Sequence, residues 1–304
     1  MAMDLGRLSS FLAAAEELHF GRAAQQLGIL PSALGRNIRL LEEELGVRLF
    51  NRTTRNVLLT PSGTLLLKEA PKLLHQANVM VQSVRNSAET AERVFRVGAI
   101  DSAAMGLIPE LVHDFKVAMP EVELVIVEDK SANLIPKLLS GALDLAFVRP
   151  PASPKPGIAF EHLMDELTIV ALPAQHPLVE KSEISIEDLA QVPLILPSPR
   201  LRPHSYNLTM QLFAEQGLQP NIVQRADEKQ TIINLVDAKV GAAIIPFWYN
   251  RIKLDGIVYR PLVNQLGQTI RQLPLSMAWL DGIADETRET LTSVARTNID
   301  RYAS

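Results

Sequence analysis

Cysteine is absent from this chain. That removes a disulfide framework, thiolate zinc or iron–sulfur ligation and any cysteine nucleophile, and it suits a reducing cytosol. Histidine is scarce: the 6 residues are scattered, none pairs with another at i,i+3 or i,i+4, and no metal site is expected from them. No apolar run reaches the length of a membrane span. The first twenty residues carry Asp4, Arg7, Glu16 and Glu17, so the basic-then-apolar layout of a signal peptide is missing too. The expectation is a soluble, cytoplasmic protein with no membrane partner. Catalytic signatures are lacking as well: there is no G-x-S-x-G elbow, P-loop or dinucleotide fingerprint. Glu42, Glu43 and Glu44 run along a helix, where carboxylates cannot converge on one substrate atom, and all three are expected simply to be solvated. No catalytic residue, metal or cofactor is predicted.

What is present is length and apolar material. At 304 residues and 47% hydrophobic, the chain makes about two domains or one large α/β unit. The net charge of -4 conceals a division: +1 over residues 1–60, +1 over 61–93 and -6 over 94–304. Before residue 93 the pattern is helical. From residue 94, short Val- and Ile-rich runs alternate with helical patterns: Phe95 to Ile100, Val122 to Glu128, Asp144 to Val148, Thr168 to Leu172, Leu194 to Leu196 and Ala243 to Ile245. Strands separated by helices predict a parallel α/β sheet. The Pro-rich stretch from Arg149 to Pro156 cannot hold regular structure and reads as a crossover between two lobes.

The N-terminal segment reads as three helices. Leu5 to Leu18 has helical apolar spacing, and Phe20 to Leu27 makes a short second helix whose Ala23 and Ala24 allow close packing before Gly28 ends it. Pro31 suits the first position of a third helix, where Leu34, Ile38, Leu41 and Leu45 form one stripe with Ser32, Arg36 and Arg39 opposite. Small residues near a helix start can approach base edges while Arg reaches guanine or phosphate, which is helix-turn-helix chemistry. An ordinary αα-hairpin with a solvated face remains the alternative on periodicity alone.

Several segments carry a resemblance: Ala23-Ala24-Gln25-Gln26-Leu27, Pro31-Ser32-Ala33-Leu34-Gly35-Arg36, Ile38 through Arg52, and Leu59-Thr60-Pro61-Ser62-Gly63. Together they resemble the winged helix-turn-helix of the LysR-type transcriptional regulators. The resemblance implies an N-terminal DNA-binding domain over 1–60, with its helix-turn-helix at about 20–39. It places Arg22, Pro31, Ser32, Ala33, Gly35, Arg36 and Arg39 at promoter double-stranded DNA, with Arg52 and Arg55 in the wing, where a solvated turn is the bland account. Leu30 departs from the small N-cap residue usual in the family, and Gly35 from the usual Ser.

Thr60 can cap and Pro61 begin a helix without a strong stop before about residue 90. Leu66, Ala70, Leu73, Ala77, Met80 and Val84 follow a 4,3 repeat, the seam of a coiled coil, so 61–92 is expected to be a linker helix that dimerises. Packing of that seam on the chain's own C-terminal region is the alternative. Pro71 should kink the helix.

The remainder, 93–304, resembles the LysR effector domain through Leu138 to Ala146, Leu172 to Leu178 and Val236 to Pro246. Taken together, the fold class is α/β multidomain: the winged helix-turn-helix, the long linker helix, and a two-lobed, periplasmic-binding-protein-like α/β domain. Lobe I is expected over about 93–163 and 268–304, and lobe II over about 164–267. Asp237 and Lys239 depart from the small residues usual there. In open α/β sheets ligands bind beyond the carboxyl ends of strands, where helix N-termini face anions. Ser102 and Ser131 belong to that rim, and Arg149 stands at the exit of another strand. Phe147 to Pro151 and Leu196 to Pro199 are similar to the branch that senses aromatic carboxylates. That likeness implies effector contacts from Ser102, Ala103, Ser131, Arg149 and Phe247, with Arg202, Pro203 and His204 covering the cleft from the other lobe. Each has a plainer account: the serines as helix caps, Arg149 as the partner of an acid, and His204 as a cap or a solvated residue. His176 reads as a turn residue.

The sequence is thus identified as a LysR-type regulator that answers a small-molecule inducer, an aromatic or related carboxylate, by altering promoter binding and DNA bending. The resemblance implies a homo-oligomer, a dimer through the linker and a tetramer built from dimers; it suggests an activator and leaves RNA polymerase open as a partner. A solute-binding protein on the same scaffold would need an export signal, and an enzyme would need a catalytic constellation.

Overall fold

A computed structural model describes residues 3–52, 57–87, 93–153 and 155–302. At the N-terminus, α1 (Leu5–Glu17), α2 (Phe20–Gln26) and α3 (Pro31–Leu45) close around Leu8, Phe11, Leu34, Ile38 and Leu41, all fully buried. Local chemistry sets the ends. The Asp4 carboxylate accepts from the Gly6 amide at 2.8 Å to start α1, and Gly46, at φ 69, ends α3 in the left-handed conformation. Ala23 and Ala24 are buried at the contact of α2 with its neighbours. Two antiparallel strands follow, β1 (Phe50–Arg52) and β2 (Val57–Leu59). The tip between them, with Arg55, and the Arg52 side chain lie outside the described residues.

The three glutamates are not equally solvated, contrary to the expectation. Glu42 accepts from the Leu49 and Phe50 amides at 2.8 and 3.2 Å, and Glu44 pairs with Arg7 at 3.1 Å, while Glu43 stays exposed. The chain doubles back at Gly46 and brings amides without strand partners over the last turn of α3, and a carboxylate there satisfies them.

The linker helix α4 (Pro61–Ser87) is capped by Thr60, whose hydroxyl accepts from the Gly63 amide at 3.0 Å, and it continues through Pro71. Its inward stripe is offset from the expected seam. Leu67, Ala70 and Leu74 pack into the N-terminal core, so Ala70 is lost to the seam, whereas Leu73 and Met80 are 41% and 62% exposed. The side chain of Val84 lies outside the described residues. The helix must cover the open side of α1 with one face before it can offer another to a partner. Asn78 also donates to the Ser140 and Gly141 carbonyls at 3.0 and 3.2 Å, so part of α4 rests on the chain's own C-terminal region.

That region runs β3 (Arg93–Ala99), α5 (Asp101–Met105), α6 (Leu107–Ala118), β4 (Val122–Glu128), α7 (Ser131–Leu139), β5 (Leu145–Val148), β6 (Ile158–Pro173), β7 (Pro193–Leu196), α8 (Pro203–Glu215), β8 (Asn221–Arg225), α9 (Lys229–Asp237), β9 (Ala243–Pro246), β10 (Ile257–Pro261), β11 (Arg271–Leu280) and α10 (Glu286–Thr297). The sheet order is β10-β6-β11-β5-β3-β4, with β9 also on β6. Only part of it is parallel, which corrects the expectation: β4, β3 and β5 are parallel, as are β7 and β8 in a separate pair, but β6 and β11 run antiparallel to each other and to their neighbours. The 16-residue β6 passes from one core, around Phe95, Phe147 and Met277, to two others, around Phe213 and Leu194 and around Ile232 and Ile245. The crossing is therefore made by β6 and β11 rather than by the Pro-rich stretch, which only leads into β6. Asp165 and Glu166 interrupt the apolar run of β6, which is why the sequence pattern marks its last third alone. Helix α9 ends with Lys239 in the left-handed region at φ 63, an unusual place for a side chain with Cβ.

The second lobe's chain segment sends Trp248 into the core of the first, with Phe247 packed against it. Trp248 is 2% exposed within the β3–β5 core, and its Nε1 donates to the Tyr302 carbonyl at 3.0 Å. The indole lies against Gly106, where an added Cβ would fall 2.0 Å from the ring. Gly106→Ala must push the ring out of a close-packed site, so it should lower stability by about 1–3 kcal/mol. Thermal denaturation checks this, and an unchanged melting temperature would contradict it.

Candidate functional site

Two surfaces concentrate the residues that the sequence singles out. The first is the start of α3. Its N-cap, Leu30, is 72% exposed and offers no side-chain acceptor, so the first-turn amides of α3 remain open beside exposed Pro31, Ser32 and Ala33. Arg36 is exposed one turn on, with no ion-pair partner among the described residues; Gly35 is half-buried beside it. Arg39 is also exposed and spans one turn to Glu43 at 3.4 Å, a contact worth little in water. Arg22 is different: its guanidinium is held by the Glu17 carboxylate at 2.6 Å and the Glu17 carbonyl at 2.7 Å, which closes the turn between α1 and α2.

The second surface is a cavity of about 340 Å³ between the two lobes. The first turns of α7, α8 and α9 reach it through Ser131, Pro203 and Lys229, and none of these helices has a side-chain cap. Helix N-termini carry unpaired amides and a partial positive charge. Ser131, Arg149, Arg202, Pro203 and His204 line the cavity as expected; Ser102, Ala103 and Phe247 do not. Ser102 and Ala103 are fully buried behind the wall, and Phe247 packs between two cores.

Arg149 is the partner of a buried acid. Its guanidinium pairs with Glu166 and donates to the Leu273 and Pro274 carbonyls at 2.9 and 2.8 Å. The Ser102 hydroxyl donates to Glu166 at 2.9 Å, and the Arg149 amide donates to the Ser131 hydroxyl at 2.9 Å. One network thus joins the end of β5 to both crossing strands and to the start of α7. Burial pushes the Glu166 carboxyl above its usual range against the pull of Arg149. Arg202 binds Asp101 at 2.7 Å and Glu228 at 3.3 Å; burial raises Asp101, but Arg202 and then Lys229 more than offset it, leaving this carboxyl below its usual range. Burial, reinforced by Arg149, holds His204 below its usual value. At the mouth stand Lys155 and, from α1, Glu16, whose carboxyl burial pushes up to about 7 against the attraction of Lys155.

Comparison with known proteins bears on both surfaces. Residues 5–64 match the family described as bacterial regulatory helix-turn-helix protein, lysR family, and residues 88–288 match the LysR substrate binding domain. The chain belongs to the LysR family of transcriptional regulators. It is 50% identical over 99% of both chains to the HTH-type transcriptional regulator TtuA of Agrobacterium vitis. It is similar to full-length BenM, with 29% identity, a TM-score of 0.60 and 98% and 97% of the two chains covered. Full-length CbnR in complex with its target DNA shares the fold, at 22% identity and a TM-score of 0.62 over 97% and 99%. This LysR-type regulator is accordingly a DNA-binding protein with an effector-binding domain, from a family of regulators and not of enzymes. Among its described residues no helix is long and apolar enough to cross a membrane.

Among the residues of the regulator's cleft region, Glu166 and Lys229 escape sequence reading. Glu166 follows Asp165 in the middle of a strand, and an acidic pair there reads as solvent-facing, although Glu166 is 2% exposed. Lys229 gives no signal, since a lysine at a helix start looks solvated, yet it is buried. The network yields a prediction: Arg149→Ala would leave Glu166 buried and uncompensated, at a cost of about 3–5 kcal/mol. Chemical denaturation should show that loss, and a variant as stable as the parent would refute the internal pair.

Proposed function

We propose that this regulator reads promoter DNA with the start of α3 and changes that binding when a small carboxylate enters the inter-lobe cleft. The observation that carries the effector half is the convergence of three uncapped helix starts on one cavity. Such ends favour anions, and the volume suits a small ligand. Ile100, Ile135 and Leu201 supply apolar wall for its carbon body, while Phe247, the ring expected beside an aromatic effector, stands outside. The proposed class is therefore carboxylate, with benzoate-like acids as one case among short acids.

Coupling to DNA follows from the mouth of the cavity, where Glu16 of the DNA-binding segment forms part of the wall. A ligand that favours one lobe arrangement there shifts the population of DNA-binding orientations, and its differential affinity limits the size of the shift. The division into 1–60, 61–92 and 93–304, and assembly through α4 into dimers and then a tetramer that bends promoter DNA, belong to the same proposal. Its support in α4 is the exposed pair Leu73 and Met80, which lie away from the chain's own core.

Arg36 is proposed to reach a base. Arg36→Ala should weaken binding to captured genomic promoter fragments by about 1–3 kcal/mol in gel-shift titrations, with the melting temperature unchanged. Equal affinity would remove Arg36 from the interface. In the same titrations, an effective acid should alter the affinity or mobility of the parent complex. Leu73→Glu would place like charges across the proposed helix pair and should lower the mass seen by light scattering; an unchanged mass would place the dimer contact elsewhere.

A further inference from the structure

We propose that Lys229 is the charge anchor of the cleft: its ammonium group, buried between the lobes without a partner, takes the effector's carboxylate and makes the site selective for anions over neutral molecules of the same shape. This rests on reading the cleft as a carboxylate site.

The pairing of charges points to it. Arg149 faces Glu166, and Arg202 and Lys130 face Asp101 and Glu228, the last at 2.6 Å from Lys130. Each of these three cations has an acid against it, while Glu128 stands near Asp101 and Arg202, and Glu16, Glu17, Lys155 and Arg200 line the same cavity. Lys229 is the cation buried in their midst without such a contact: it is 3% exposed, and its Nζ has no hydrogen-bond partner among the described residues. An ammonium removed from water is costly unless something compensates it. The acids that act on it, Asp101 first and then Glu166, are already engaged by Arg202 and Arg149. Lys229 is also the first residue of α9, whose uncapped start adds partial positive charge of its own. An anion reaching this cavity would neutralise the ammonium and accept from the open amides together, and charge-assisted bonds of this kind are the strong ones.

The arrangement also fixes a pH dependence. Burial lowers Lys229 from its ordinary value to about 8; Asp101 opposes the shift, and Arg202 and Arg149 add to it. Below that pH the empty site holds an ammonium, and above it a neutral amine with no charge for a carboxylate. Anion affinity should therefore fall above about 8, by roughly thirtyfold between pH 7 and 9.5 for a group of that pKa, and Glu16 at the mouth, its carboxyl pushed up to about 7, adds to the fall as it ionises.

The test is calorimetric titration of the full chain with a pool of short mono- and dicarboxylates that includes succinate and benzoate, at pH 7 and 9.5, for the parent and Lys229→Met. The expected result is binding by the parent at pH 7, weakened at least tenfold in the variant and likewise by the higher pH in the parent. Melting curves accompany it, because replacing an unpaired buried ammonium with a methyl thioether should raise the melting temperature of the empty protein. A folded variant that binds the same acid as tightly as the parent overturns the anchor and leaves the carboxylate cleft standing. Parent affinity that is equal at the two pH values also overturns the anchor, whether or not the variant folds. Failure of the parent to bind any acid in the pool overturns the carboxylate reading and the anchor with it.

Discussion

The Arg149 guanidinium, gripped by Glu166 of β6 and by the Leu273 and Pro274 carbonyls of β11, ties the parallel half of the sheet to the two strands that cross between lobes. An acid in the middle of β6 would otherwise be an uncompensated buried charge, and the strand could not pass through the interior at that point. Because Arg149 is engaged there, its backbone amide can hold Ser131, and with it the start of α7, at the edge of the cavity. The placement of one helix end depends on this pair, and the net charge of the cleft depends on its being internally balanced.

With that pair and the Arg202–Asp101 pair closed on themselves, neither Arg149 nor Arg202 is free to meet a ligand, and exposed Arg200 is left at the cavity wall. Three helix starts and Lys229 add positive field, in a cavity whose wall mixes charged side chains with the aliphatic Ile100, Ile135 and Leu201. The surface proposed to face DNA uses the same physics, since the uncapped start of α3 presents open amides beside Arg36. The N-cap substitution that looks like a defect at Leu30 leaves donors free where a phosphate can use them. Glu16, near the end of α1, puts the N-terminal segment into the wall of the cavity.

Helices were the most legible part of the sequence. In α1 to α3 the stripes, the Pro31 start and the glycine stops appear where periodicity places them, because these signals are local. The crossing strands were not legible, since β6 carries charges in its middle and β11 gains its partners only from distant segments. The site divided in the same way. Ser131 was readable as a cavity-lining residue from its place at a helix start after a strand, and Arg202, Pro203 and His204 only through the family resemblance. Arg149 was correctly located, but the acid that claims it lies 17 residues on in another strand. The exposed α4 stripe lost Ala70 because coiled-coil spacing does not say which face the chain needs for its own core. Lys229 illustrates the remaining gap: burial of a charged residue is a property of tertiary packing, invisible in composition or spacing.

The central claim is that the cleft reads charge, and paired ligands that differ in little else test it most directly. Melting curves of the full chain would be recorded with short carboxylic acids and with their primary amides, at equal concentration and pH 7. Selective binding to the folded state raises the melting temperature in proportion to occupancy. One or more acids should stabilise the folded protein, and the matching amides should not. Equal stabilisation by an acid and its amide would contradict that claim.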